Sequence, residues 1–114
     1  MVVSQRVDSM AISDLPLVQL ASVIRSKNAG PLCLTIDLFF RDIPAYERAT
    51  LSDTLKVASI AFHYGLKASQ IKRFELPEIL AIKFSMPRSV CAGNPGDGDV
   101  YGAQQHAPLL RLML

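Results

Sequence analysis

The chain has 114 residues, half of them apolar and 19% charged, with twelve basic and ten acidic side chains for a net charge of +2. That length supports one hydrophobic core and is too short for two. The near balance of charge implies no nucleic-acid-binding surface, and the sparse charge predicts that another subunit covers part of the exterior.

No apolar run reaches the roughly 18 residues of a membrane span, and "MVVSQRVDSM" lacks the continuous apolar centre of a signal peptide. A cytoplasmic protein is expected. Cys33 and Cys91 show no CxxC or Cys/His spacing, so they read as reduced thiols, with no metal site and no cofactor implied.

Residues 1–14 have no sustained period and read as a flexible tail before a single domain over 15–114. "LVQLASVI" (Leu17 to Ile24) predicts a strand, since it is apolar, partly β-branched and ends at Asn-Ala-Gly-Pro. "RSKNAGP" (Arg25 to Pro31) then reads as a turn. In "LCLTIDLFF", Leu32, Leu34, Ile36, Leu38 and Phe40 share one face, and Cys33, Thr35, Asp37 and Phe39 the other.

Pro44 marks a turn or helical start. Ser52 or Asp53 caps a helix over "DTLKVASIAFHYG", with Leu51, Leu55, Ala58 and Phe62 at helical spacing and Gly65 as its stop. "QIKRFEL" and "ILAIKFSMP" predict a hairpin whose second strand is central. Residues 88–99 read as a loop, "VYGAQQHA" as a brief helix and "LLRLML" as a last strand. Elements in this order predict an α+β fold, a ferredoxin-like antiparallel sheet with its helices on one face. If the Leu34/Ile36/Leu38 face packs on the helix, Thr35 and Asp37 stand on the uncovered one.

Two segments have the composition of a binding site. In "RSKNAGP", Asn28 and Gly30 tolerate left-handed backbone angles that aim successive amides into one concavity, with Arg25, Ser26 and Lys27 beside it. Arginine offers a planar two-pronged contact and lysine a movable charge, a combination suited to a carboxylate or phosphate. The bland alternative is a solvated turn. In "GDGDVYGAQQHAP", Asp97, Asp99, Tyr101, Gln104, Gln105 and His106 crowd polar groups into a glycine-spaced stretch; the closing glutamate of a calcium loop is missing. His106 can move a proton near neutrality, or can be a hydrogen-bonded structural residue. His63 has a weaker claim, and Arg88 reads as a strand-end cation.

"LASVIRSKNAGP" with "LTIDLFF", and later "DVYGAQQHAPLL", resemble the two signature segments of the family grouped as domain of unknown function 4387. That family is in turn similar to the C-terminal domain of AtuA-type proteins of acyclic terpene utilisation, where a strand leads into an "RSGDKGD" loop and an Asp-x-x-Gly segment comes late. Arg25, Ser26 and Lys27 fall on the matching arginine, serine and lysine, and Asp99 with Gly102 on the late motif. Asn28-Ala29-Gly30 replaces the acidic loop residues, so no role of those carboxylates carries over, and "PRSVCAGNPGDGD" departs from the usual Arg-Pro and Ser-Gly arrangement. The resemblance implies a ferredoxin-like fold and partnership with a larger AtuA-like component.

Three functions follow. The chain is the small component of a two-part enzyme acting on an organic acid or its thioester, with both segments at an interface site. Or it is a self-sufficient, cofactor-independent lyase, isomerase or cyclase working as a homo-oligomer, in which Arg25 and Lys27 hold a carboxylate and Lys27, His106 or Asp37 is catalytic. Or it is a noncatalytic assembly module.

Overall fold

The computed structural model describes residues 15–30, 32–88 and 106–114. Their centre is a four-stranded antiparallel sheet in the order β1-β2-β4-β3, formed by β1 (Ala21–Asn28), β2 (Cys33–Phe40), β3 (Lys72–Leu76) and β4 (Ala81–Pro87). The fold is α+β with helices on one sheet face. This strand order is that of a ferredoxin-like sheet entered at its last strand, so a hairpin joins the first two strands where a crossover helix would otherwise stand.

Alternation within the strands decides which side chains form the core. Leu34, Ile36, Leu38 and Phe40 of β2, with Ile82, Phe84 and Met86 of β4, point to the helical layer and are buried with Leu17, Ala45, Ala49, Leu55, Ile60 and Leu109. β4 is central, as the Leu80-to-Met86 alternation predicts, with β2 on one side and β3 on the other. The turn joining β3 to β4 is a 3-10 turn, Pro77–Ile79, closed by Leu80 at φ 53°.

The helical layer departs from the sequence reading in three places. The first four residues of "LVQLASVI" form a single helical turn, α1 (Leu17–Leu20), and β1 begins only at Ala21. The cause is tertiary: the C-terminal segment comes alongside, with Leu17 N–H donating to the Leu112 carbonyl and Leu114 N–H to that of Leu15.

For the same reason "LLRLML" is not a strand. It is mainly a 3-10 turn, Ala107–Arg111, followed by one bridge between Met113 and Pro16.

Third, two helices occupy the middle of the chain. α2 (Ile43–Leu51) starts where the Asp42 carboxylate accepts the Ala45 N–H at 2.9 Å, with Pro44 in the first turn, where a missing N–H costs nothing. Ser52 caps a 3-10 turn, Asp53–Leu55, and extended backbone at Lys56 separates it from α3 (Val57–Tyr64). The break resets the helical phase. Leu55, Ile60 and Ala61 are therefore buried, whereas Leu51 and Phe62, placed on the inner face by a single continuous helix, are exposed.

Gly65 ends α3 as predicted. It adopts φ 66°, its N–H reaches the Phe62 carbonyl, and Leu66 N–H reaches that of Ala61, the paired bonds of a Schellman stop. Among the described residues no helix is long and apolar enough to cross a membrane.

Candidate functional site

"RSKNAGP" is mostly strand. Arg25 to Asn28 close β1, and the turn proper begins at Ala29, whose N–H donates to the Cys33 carbonyl at 2.9 Å. Gly30 takes φ 104°, and nothing lies within 4 Å of a Cβ built there, so backbone angle alone explains the glycine. Asn28 stays in extended backbone. Because successive residues of a strand face opposite ways, the segment is divided between the two sides of the sheet.

Ser26 and Asn28 face the helical layer. The Ser26 Oγ accepts the backbone N–H of His106 at 3.1 Å and lies 3.1 Å from Nδ1 of the same residue. The Oγ–Nδ1 contact is made either by the serine proton or by a proton on Nδ1, according to the ring tautomer. Asn28 Oδ1 accepts from Arg88 Nη1 at 2.9 Å, and Arg88 N–H donates to the Leu32 carbonyl. Arg88 is buried, although it reads in the sequence as a strand-end cation. The missed signal is parity: it continues the inward series Ile82, Phe84, Met86.

Arg25, Lys27, Thr35 and Asp37 stand on the other face. Arg25 Nε donates to Asp37 Oδ2 at 3.1 Å, and its guanidinium lies 5.0 Å from the centre of the Phe39 ring. Thr35, paired with Lys27 across the strands, donates to the Lys27 carbonyl at 3.3 Å. Asp37 is buried at the foot of the exposed Arg25, so its carboxylate already has a cationic partner.

Of the expected catalytic groups, Lys27 and Asp37 thus share the open face while His106 belongs to the helical side, joined to Ser26. Arg25 is on the open face and Asn28 beside Arg88. Asp99, Tyr101, Gln104 and Gln105 lie outside the described residues, as do Cys91 and residues 1–14.

The strand pairings place four cations on the open face, Arg25, Lys27, Lys72 and Lys83, against one carboxylate, Asp37. The whole chain carries only +2, so positive charge is concentrated here. A shallow depression of about 420 Å³ lies on this face, lined by Thr35, Phe74, Leu76, Lys83 and Ser85. Neither Lys83 nor Ser85 is prominent in the sequence, because each is one polar residue in an alternating strand. A second hollow of about 310 Å³, between α1 and the start of α2, is lined by Leu15, Leu20, Arg41, Asp42, Pro44, Ala45 and Arg48.

Among the described residues no group of three or more His, Cys, Asp or Glu side chains is placed to hold a metal ion, and Cys33 is a free thiol. Burial pushes the Tyr64 phenol well above its ordinary range, which removes it from proton transfer near neutrality.

The arrangement defines a small α+β domain whose sheet has one face in the core and one polar, cationic face. The chain belongs to the family described as Domain of unknown function (DUF4387), whose model matches residues 17–113. No curated protein and no solved structure matches it.

Proposed function

We propose that this chain is the small component of a two-part, AtuA-like metabolic enzyme acting on an organic acid or its thioester, and that its open sheet face supplies the anion-binding half of an interface site. The observation that carries this reading is the set of four cations, with a single carboxylate, on a sheet face that no described helix covers. Such a face attracts an anionic ligand or an acidic partner surface.

The same observation weighs against a homodimer closed face to face. A two-fold axis through this surface sets like charges opposite one another, which opposes association unless an anion is trapped between them. Val23 and Phe74, both about 45% exposed, supply the apolar contact that a partner subunit needs beside the charges.

The reading is tested by coexpressing the chain with an AtuA-like large component and following the pair by size-exclusion chromatography. Coelution is expected, weakened by Phe74→Asp on the open face and unaffected by Phe62→Asp on α3. Separate elution of the two wild-type proteins overturns the partnership. A stable pair that turns over organic acids or thioesters no faster than the large component alone overturns the enzymatic role and leaves an assembly module.

A further inference from the structure

We infer that the depression around Lys83 binds a small carboxylate bearing an apolar tail, with the Lys83 ammonium as its counter-ion. The ligand class rests on the reading above; the site itself rests on geometry.

Lys83 lies in the middle of the central strand β4 and is half-buried. Its cross-strand neighbour on β2 is Asp37, whose carboxylate is bonded to Arg25; its neighbour on β3 is Phe74. Among the described residues no ion pair or hydrogen bond reaches the Lys83 ammonium. A lysine on a central strand, partly removed from water and flanked by an aromatic ring, gains from an anion far more than a lysine on a loop does.

The surrounding groups define which anion fits. Thr35 and Ser85 line the same depression. Thr35 Oγ1 donates to the Lys27 carbonyl, and Ser85 Oγ lies 3.5 Å from the Cys33 thiol, so with the thiol as donor the serine proton is available to a ligand oxygen. The opposite wall is Phe74 and Leu76. A charged end with one hydroxyl donor, Ser85, and an apolar wall matches an amphipathic acid, and a bare inorganic anion leaves that wall unused. The volume, about 420 Å³, is within the range of small-molecule sites, and its open mouth predicts weak binding by this chain alone.

The test is an NMR titration of the full ¹⁵N-labelled chain with hexanoate, hexanol and acetate. Hexanoate is expected to move the amides of Thr35, Lys83 and Ser85 saturably, with affinity on the order of tenfold above either hexanol, which lacks the charge, or acetate, which lacks the tail. Lys83→Met is expected to reduce hexanoate affinity to that of hexanol, and Lys56→Ala, on the helical side, to leave it unchanged. Phe74→Ser, on the edge strand, provides an independent variant that weakens hexanoate and spares acetate. Absence of shifts at those amides, equal binding of hexanol, or hexanoate affinity unchanged in folded Lys83→Met or Phe74→Ser overturns the site. Coelution with the large component without hexanoate binding removes this site alone, and hexanoate binding without coelution removes the partnership alone.

Discussion

The Ser26 hydroxyl oxygen lies 3.1 Å from both the ring Nδ1 and the backbone nitrogen of His106, 80 residues further along the chain. This double contact ties the start of the C-terminal 3-10 turn to the sheet. It occupies the oxygen of Ser26 with a backbone donor and the ring of His106 with a buried hydroxyl, which describes a tether better than a nucleophile and its base. Ser26→Ala removes the acceptor of the His106 N–H and is expected to cost about 1–3 kcal/mol. Urea denaturation checks the loss, and hydrogen exchange is expected to show faster exchange at Leu109 and Leu112, whose amides close the same turn.

The two arginines near the site differ in how much the fold depends on them. Arg25 is over half exposed, so Arg25→Ala, which breaks its ion pair with Asp37, is expected to cost about 1 kcal/mol or less. Asn28→Ala removes an acceptor from the buried Arg88 guanidinium and is expected to cost about 1–3 kcal/mol. Denaturant midpoints of the two variants, measured side by side, check the order. Equal losses would mean that burial does not separate the two interactions.

The legible and illegible parts of the chain divide along one physical line. The alternations Leu34/Ile36/Leu38 and Ile82/Phe84/Met86 are set by which side of a sheet is dry, and that is written locally, two residues at a time. The Gly65 stop is equally local. The α1 turn at Leu17 and the irregular end at Leu112 to Leu114 depend on hydrogen bonds between the two ends of the domain, which no window of sequence contains.

At the candidate site the convergence of the two singled-out segments is present at Ser26 and His106. The division of Arg25 and Lys27 from Ser26 and Asn28 follows from β1 running through Asn28. Had the turn begun at Arg25, as the Asn-Ala-Gly-Pro cluster suggests, all four would be free to line one concavity.

Among the described residues, glycine is required at two turns for backbone reasons only. Gly30 at φ 104° and Gly65 at φ 66° have nothing within 4 Å of an added Cβ, so substitution meets no steric neighbour and is penalised by conformation alone. Gly30→Ala and Gly65→Ala are each expected to destabilise by about 1–2 kcal/mol. Gly65→Asn is expected to cost less, because asparagine tolerates the left-handed region at a helix stop. Thermal unfolding of the three variants checks both the size and the order of the effects.

Tyr64 gives the fold a dependence on alkaline pH whose sign is fixed by burial. Desolvation disfavours the phenolate and raises the pKa in the folded state above the ordinary value of about 10. The protonated form is therefore the one that the fold favours. Its contribution is fully present below the unfolded-state value and is progressively lost as the pH rises from there toward the folded-state value, because over that window the unfolded chain releases a proton that the folded chain retains. Tyr64→Phe has no proton to lose. The wild-type protein is expected to lose more stability than Tyr64→Phe between pH 9 and 11, about the ordinary tyrosine range, with lysine titration common to both and cancelling in the comparison. Urea midpoints across that range measure the difference, and parallel curves for the two proteins would show that the Tyr64 phenol titrates as it does in water.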